Sequence, residues 1–183
     1  LITSFLSLLI TIPLGVGTAI FITEDFVPKV FREIIGSFVE LLAAIPSVVL
    51  GLWAIFVMEP FFRAFFVFLH NFFGWVPLFS TEPTGRNSLL AILILVVMLL
   101  PIVTSIARDS LNQVPKKLRN ASYGIGASRW KTIFSVILPA ALSGIMAGVL
   151  LALGRAMGET MAVTMIIGNS NAFSWSLLSP GYT

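Results

Sequence analysis

Residues 108–139 read RDSLNQVPKKLRNASYGIGASRWKTIFSVILP and form a strongly charged stretch in an otherwise apolar chain. Six of the chain's eleven basic residues lie here against one acid, Asp109, so six bases minus one acid give a net charge of +5. Long hydrophobic runs precede and follow the stretch. Short loops rich in lysine and arginine are retained on the cytoplasmic side of a membrane. We therefore expect residues 108–135 to be a cytoplasmic loop between two membrane-spanning helices.

The composition of the whole chain is that of an integral membrane protein. Of its 183 residues, 57% are hydrophobic and 10% are charged, whereas soluble domains carry about 25% charged residues. A pI near 9.7 could indicate a nucleic-acid partner, but bases gathered in one loop are explained better by membrane topology. With no cysteine and one histidine, the chain offers little for a metal site. We expect no metal, no cofactor and no nucleic acid.

Four apolar segments approach or exceed the roughly 20 residues that a spanning helix needs. We expect spans at residues 1–23, at 47–58 with an extension through 61–73 after a turn at Glu59-Pro60, at 88–107, and at 136–168. A partly amphipathic helix over 29–44 should end at a break before Pro46, because the residue before proline avoids helical dihedrals. Ser47 should then cap the next helix. The neutral, turn-rich segments 75–87 and 169–183 should lie outside the cell.

The charged loop divides into two short helices. Val114-Pro115 precedes the first, and Ala127-Ser128 can cap the second. Gly124-x-Gly126 supplies the turn between them. It is not a phosphate-binding loop, because the Lys-Ser/Thr ending and the preceding strand of that motif are both missing.

Arg155 and Glu159 are charges within the last apolar segment. An arginine inside a membrane costs about 2.5–3.5 kcal/mol on insertion scales, so Arg155 should face other helices or a wet cavity. One interpretation is an ion pair at positions i and i+4 of one helix, which makes both charges tolerable. Another is that the planar donor fork of Arg155 assists an oxyanion across the membrane while Glu159 balances its charge.

Two further polar residues are candidates for the same pathway. Glu40 precedes Pro46 by six residues in an apolar setting and could be a gate, although an anchor between helices is the better interpretation. Asn169 could donate hydrogen bonds to a passing ion. Serine and threonine in membrane helices most often bond to backbone, so Ser47 and Thr164 are weaker candidates.

Three blocks of the sequence resemble a known family. Permease subunits of ABC importers carry a loop of the form E-A-A, three residues, Gly, nine residues, I-x-L-P. Here Asn120-Ala121-Ser122 match the start, Gly126 the glycine, Val136 the isoleucine and Leu138-Pro139 the end. The stretches ELLAAIPSVVLGLW (40–53) and GRAMGETMAVTMIIGN (154–169) resemble permease subunits of high-affinity phosphate importers, the PstC type more than the PstA type. Asn120 departs from the usual glutamate.

This resemblance implies an all-α, polytopic helical bundle of the MetI-like permease type in the bacterial cytoplasmic membrane. It implies a single transmembrane domain over 1–183, a fragment flanked by further spans, since Leu1 is neither a methionine nor part of a signal peptide. The chain itself would be no enzyme, because a separate homodimeric ATPase hydrolyses ATP. Its other partners would be a PstA-type permease, an extracytoplasmic phosphate-binding protein and membrane lipid. The residues implied in ATPase coupling are Asn120, Ala121, Ser122, Gly126, Arg129, Leu138 and Pro139.

The resemblance predicts import of inorganic phosphate by alternating access, and other functions stay open. The substrate could be another oxyanion, such as sulfate or molybdate. An ATP-independent channel or secondary carrier is the alternative from another class, but carriers more often show paired broken helices in two related halves. The basic residues of the loop could dock the ATPase, hold anionic lipid or only set the orientation of the chain.

Overall fold

The computed structural model describes residues 2–24, 26, 28–76 and 87–167, and the regular structure within them is helical. Four helices are long and apolar enough to cross a membrane: α1 (Ile2–Thr23), α3 (Ser47–Phe73), α4 (Ser88–Asn112) and α6 (Arg129–Gly158). Three shorter helices are α2 (Lys29–Ala44), α5 (Lys116–Gly124) and α7 (Met161–Ile167). The prediction of an all-α protein with four spans is confirmed.

The break between α2 and α3 lies where the sequence predicts it. Pro46 has extended dihedrals, with φ −60° and ψ 138°, and α3 begins at the next residue. The prediction that Ser47 caps α3 is wrong, because Pro46 occupies the cap position and no side chain caps the helix. Ser47 is already the first helical residue.

Two prolines that could have broken helices are accommodated by π-helical turns. α3 contains a π-helical segment at Ala54–Met58, two residues before Pro60, and α6 contains one at Ile133–Ile137, two residues before Pro139. A proline ring clashes with the carbonyl four residues earlier, and that carbonyl lies inside the π segment in both helices. The wider turn moves it away. The turn predicted at Glu59-Pro60 is therefore wrong, and α3 continues through Phe73.

The ends of α4 and α6 differ from those predicted. α4 continues to Asn112 instead of ending at Ala107, and α6 begins at Arg129 instead of Val136. α6 ends at Gly158, after which Glu159 and Thr160 are not helical and α7 begins. The last predicted span is therefore two helices. The predicted outer segments fall mostly on residues 77–86 and 168–183, which lie outside the described residues.

The chain forms two compact units. One consists of residues Leu1–Ser7, Ile45–Met98 and Arg155–Thr183, and the other of Leu8–Ala44 and Leu99–Gly154. The first unit has its own core, in which side chains of α3, α4 and α7 pack together, including Phe66, Ile94 and Ile166. Its helices approach closely, since a methyl group on Gly51 of α3 would lie 3.3 Å from the backbone of Ala162 in α7.

The second unit has a separate core of α1, α4 and α6 side chains, including Ala19, Leu111 and Ile137. Gly15 of α1 packs against Val103 of α4, and Gly148 of α6 packs against Ile106 of α4. Glycine at these positions lets membrane helices approach each other closely. Across the described chain, α4 is the most buried of the long helices, at 61% of its most apolar window against 17% for α3.

Candidate functional site

The segment between α4 and α6 is a compact elbow, which we define as residues 116–128: helix α5 and the turn after it. Gly126 makes the turn with a φ of +83°, a left-handed conformation that favours glycine. The side chain of Ser128 then caps α6 by accepting a hydrogen bond from the Lys131 N–H. The predicted short helix after Pro115, the turn at Gly126 and the Ser128 cap are all confirmed.

A buried pair of hydroxyl groups closes the elbow from within. Ser122 Oγ and Thr132 Oγ1 lie 2.8 Å apart, and both residues are buried. The Ala127 N–H also donates to the Ser122 carbonyl at 3.1 Å. These bonds hold the end of α5 against the start of α6, so the elbow is a defined structure and not a loose loop.

The outer surface of the elbow combines positive charge with apolar side chains. Ile125 is 87% exposed at the tip, which is unusual for a large apolar residue of a polar segment. The other exposed residues of this surface are Lys116, Lys117, Leu118, Asn120, Ala121 and Tyr123. An exposed apolar side chain rimmed by polar residues is typical of a protein–protein contact.

Arg119 points away from this outer surface. Its Nη1 forms an ion pair with Glu24 Oε1, and its Nη2 donates to the Leu111 carbonyl at 2.8 Å. The two charged side chains are only 19% and 11% exposed. Sequence reasoning placed Arg119 among the loop's general positive charges and missed its partners, because nothing in the spacing of residues 24 and 119 indicates a contact.

The remaining residues assigned to ATPase coupling lie at or near the start of α6. Arg129 is exposed in the first turn, Leu138 is partly buried and Pro139 is exposed. Of the three residues that match E-A-A, Asn120 and Ala121 are exposed, whereas Ser122 is buried. Ser122 therefore holds the elbow together and is not part of its outer surface.

Arg155 and Glu159 do not share a helix face. Arg155 is exposed in the last turn of α6 and Glu159 follows the end of that helix at Gly158. The placement at i and i+4 of one helix is wrong, and the described residues contain no ion pair between the two side chains. The helix dipole stabilises a cation in the last turn of a helix by about 0.3–1 kcal/mol, which offsets part of the cost of placing Arg155 within a membrane segment.

Glu40 forms an ion pair between helices in the second unit. Its Oε1 lies 3.6 Å from Arg108 Nη1, and Arg108 also lies over Gly36 of α2. Both side chains are substantially exposed, at 71% for Glu40 and 39% for Arg108. Surface pairs of this kind contribute about 0–1 kcal/mol to stability. Asn169, the other pathway candidate, lies outside the described residues.

The second unit also contains a wide groove that is unsuited to an anion. The groove has a volume of about 710 Å³ and is lined by apolar side chains of α1 and α6 together with Phe26. Phe26 stacks on Trp130 at 5.0 Å between ring centroids. Among the side chains of its wall only the Trp130 indole N–H can donate a hydrogen bond, so this groove cannot replace the hydration of an oxyanion. Among the described residues, no cluster of histidine and acidic side chains could hold a metal ion.

Comparison with known proteins gives a consistent set of relatives. Residues 6–181 match the family described as "Binding-protein-dependent transport system inner membrane component". The chain is 45% identical over its full length to a "Phosphate transport system permease protein PstC" of Mesorhizobium japonicum, covering 57% of that protein. It is 42% identical over 98% of its length to the PstC of Pasteurella multocida, covering 58%. It is 38% identical over its full length to "PstC 2" of Mycobacterium tuberculosis, covering 57%.

Proposed function

The chain belongs to the family of binding-protein-dependent transport system inner membrane components, and on that premise we propose that it is part of a permease that imports inorganic phosphate. It spans about 58% of the length of the curated relatives that it matches. In this proposal the chain is not an enzyme. It supplies the membrane helices of half a translocation pathway, and a separate ATPase drives the pathway between inward-open and outward-open states.

The elbow is the observation that carries this proposal. A membrane helix pair that receives force from a soluble motor needs a rigid projection on the motor's side of the membrane. The Gly126 turn and the Ser122–Thr132 hydrogen bond give residues 116–128 a defined structure, and this segment exposes Ile125 at one end of α5 and two lysines at the other. The positive charge of the elbow favours the cytoplasmic side, where ATP is available.

Phosphate is the proposed substrate because relatives at 36–45% identity are named as phosphate transport permeases. The chain's own chemistry is compatible with this substrate. A guanidinium presents a planar fork of donors that matches the oxygens of phosphate, and Arg155 is exposed and has no protein partner among the described residues. We assign Arg155 to the pathway, with Glu159 and Asn169 near it in the sequence.

The family description supports one part of the proposed assembly, the binding protein. A binding-protein-dependent system requires an extracytoplasmic binding protein, and in this case it would deliver phosphate. The second half of the pathway would come from a homologous permease of the PstA type, and the elbow would dock on a homodimeric ATPase. Asn120 and Arg129 would contribute polar contacts to the docking surface, and Ala121 would leave room on the exposed face of α5 for the partner. Gly126, Ser122, Leu138 and Pro139 would support that surface. Membrane lipid would cover the exposed apolar faces of the long helices.

The test is uptake of labelled phosphate into proteoliposomes that contain the complete complex, prepared with and without the natural full-length form of this subunit. We expect ATP-dependent uptake only when the subunit is present, and we expect excess sulfate or molybdate not to compete. Competition by either ion at equal concentration would assign the chain to another oxyanion. Uptake that continues without ATP would favour a channel or a secondary carrier.

A further inference from the structure

Arg119 occupies an unusual position, because it binds a carboxylate and a backbone carbonyl oxygen that each lie at the C-terminal end of a helix. Glu24 directly follows the last residue of α1, and its N–H continues the helical pattern by donating to the Ile20 carbonyl. Leu111 is the next-to-last residue of α4, so no N–H within that helix donates to its carbonyl. The carbonyl accepts from the Val114 N–H just beyond the helix at 3.4 Å and from Arg119 Nη2 at 2.8 Å. The C-terminal ends of two membrane-length helices therefore meet at one guanidinium.

The electrostatics of this position require a cation. The C-terminus of a helix carries roughly half a negative charge, so two helix ends and one carboxylate place negative potential in one poorly solvated spot. Glu24 stands at the unfavourable end of its own helix for an acid. The positive charge of Arg119 offsets the two helix ends and the carboxylate, and its two terminal nitrogens bind Glu24 and the Leu111 carbonyl. A lysine could offer the charge but not the same pair of aligned donors.

Arg119 also faces opposite to the docking surface of its own short helix. Asn120 and Ala121, the next two residues, are exposed, whereas Arg119 is largely buried with its partners. α5 therefore has an outer face for a partner and an inner face bonded to α1 and α4. A force applied to the outer face reaches both long helices through the inner one.

We propose that Arg119 is a positioning residue of transport, which clamps the elbow to the C-terminal ends of α1 and α4 so that displacement of the elbow moves both helices together. This inference rests on the proposed function, because it requires an ATPase that moves the elbow. It assigns to Arg119 a role distinct from docking.

The first test measures coupling in the complete complex. In the Arg119→Gln variant we expect the phosphate transported per ATP hydrolysed to fall about tenfold, a size typical of coupling between sites, while the complex still assembles. Arg63→Gln is the matched control, because Arg63 is an exposed arginine of α3, and we expect its ratio to match that of the unmodified chain. An unchanged ratio in Arg119→Gln would overturn the proposal.

A second test separates a clamp between helix ends from a simple ion pair. Exchanging the charges, with Glu24→Arg and Arg119→Glu together, should restore function if only the pair matters. We expect no rescue, because a glutamate at position 119 cannot donate to the Leu111 carbonyl and would face the negative end of α4. Full rescue by the exchange would refute the clamp. We expect Glu24→Gln to have the milder effect, since the bond to Leu111 remains.

A third test needs no phosphate. The chain contains no cysteine, so spin labels can be placed at Gly17→Cys on α1 and Gly124→Cys on α5, where an added side chain meets nothing within 4 Å. The other subunits, and any part of this subunit outside residues 1–183, must be free of cysteine. With Arg119 present, we expect the distance between the two labels to be the same with and without ATP. In Arg119→Gln and Arg119→Lys, we expect this distance to change when ATP is added.

These distances also distinguish failure of the clamp from failure of the proposed function. If the complex moves no phosphate, the substrate assignment is wrong, but the label distances still decide whether elbow and helices move together. A constant distance in Arg119→Gln would overturn the clamp even where transport is lost. If Arg119→Gln fails to assemble, Arg119→Lys and Glu24→Gln decide by the same readout.

Discussion

Gly144 and Gly154 lie on the same helix, α6, but their surroundings differ completely. A methyl group on Gly144 would lie 2.2 Å from Ser110 Oγ and 2.8 Å from Ser110 Cβ, whereas one on Gly154 would meet nothing within 4 Å. Ser110 cannot turn away without cost, because its hydroxyl donates to the Ile106 carbonyl at 2.7 Å. Gly144 is therefore required by the contact between α4 and α6, and Gly154 is not required by any described neighbour.

We expect Gly144→Ala to lower the free energy of unfolding by about 1–3 kcal/mol, the usual cost of overpacking a close contact. Gly154→Ala should raise it by about 0.5–1 kcal/mol, because alanine is the better residue inside a helix. Thermal unfolding in detergent measures both changes. Equal midpoints for the two variants would show that the contact with Ser110 relaxes freely.

Arg155 is the residue that we propose contacts the substrate. Substitutions that remove its charge or its planar pair of donors test this role. We expect Arg155→Gln to abolish phosphate uptake while the complex assembles normally, because glutamine retains donors but loses the charge that attracts an anion. Arg155→Lys keeps the charge without the fork and should retain a fraction of the uptake. Normal uptake kinetics in Arg155→Gln would leave Arg155 with the structural role of stabilising the end of α6.

At the scale of elements, the elbow is set apart by Ile125. Burying an isoleucine side chain at an interface contributes about 1.5–3 kcal/mol. Ile125 is exposed, so a partner that covered it would gain this free energy. Leu118 and Tyr123 are exposed on the same element and enlarge the apolar part of the surface. In the proposed docking, the basic residues of the elbow would select the partner more than they would add affinity.

We expect Ile125→Asp to weaken association with the ATPase at least tenfold, because a carboxylate cannot replace the apolar contact. Ile125→Leu is the control and should bind normally, since it preserves volume and apolarity. Co-purification of the ATPase with the tagged permease measures the effect. Stoichiometric recovery of the ATPase with Ile125→Asp would remove the elbow from the docking surface.

The helices and turns were largely predictable from the sequence, but the contacts between residues distant in the sequence were not. Pro46 broke the chain where expected, and the Gly126 turn and Ser128 cap followed from the conformations that those residues favour. The predicted turn at Glu59-Pro60 was wrong because a proline in a helix can be absorbed by a π-helical turn, which no local pattern announces. The Arg119–Glu24 contact joins residues 95 positions apart, and periodicity carries no information about such pairs.

At the scale of the whole molecule, the distribution of charge predicts orientation. Most basic residues lie in the elbow and the adjoining ends of α4 and α6, and positively charged segments stay in the cytoplasm. Large apolar side chains are exposed on the long helices, for example Phe5 on α1, Phe56 on α3 and Leu150 on α6. Lipid would cover these apolar surfaces, so they suit a chain that lies within a bilayer.

The orientation can be measured directly, because residues 1–183 contain no cysteine and any cysteine elsewhere in the subunit can be replaced. We expect Lys117→Cys to react with an impermeant maleimide only in inside-out vesicles, since Lys117 lies on the positively charged elbow. Thr84→Cys, in the neutral segment predicted to lie outside, should react only in intact cells. Reversed labelling of the two positions would overturn the orientation and with it the docking of an ATPase on the elbow.

The two π-helical turns change how any mutational scan of this chain must be interpreted. A π turn holds one more residue than an α turn, and one residue corresponds to about 100° of rotation around a helix. Positions that face one direction before Ala54–Met58 or Ile133–Ile137 therefore face another direction after it. Along α3 and α6, the periodic pattern of positions that tolerate substitution should shift by one residue after each π-helical turn. Relatives that lack either turn should show a gap of one residue at that place in an alignment.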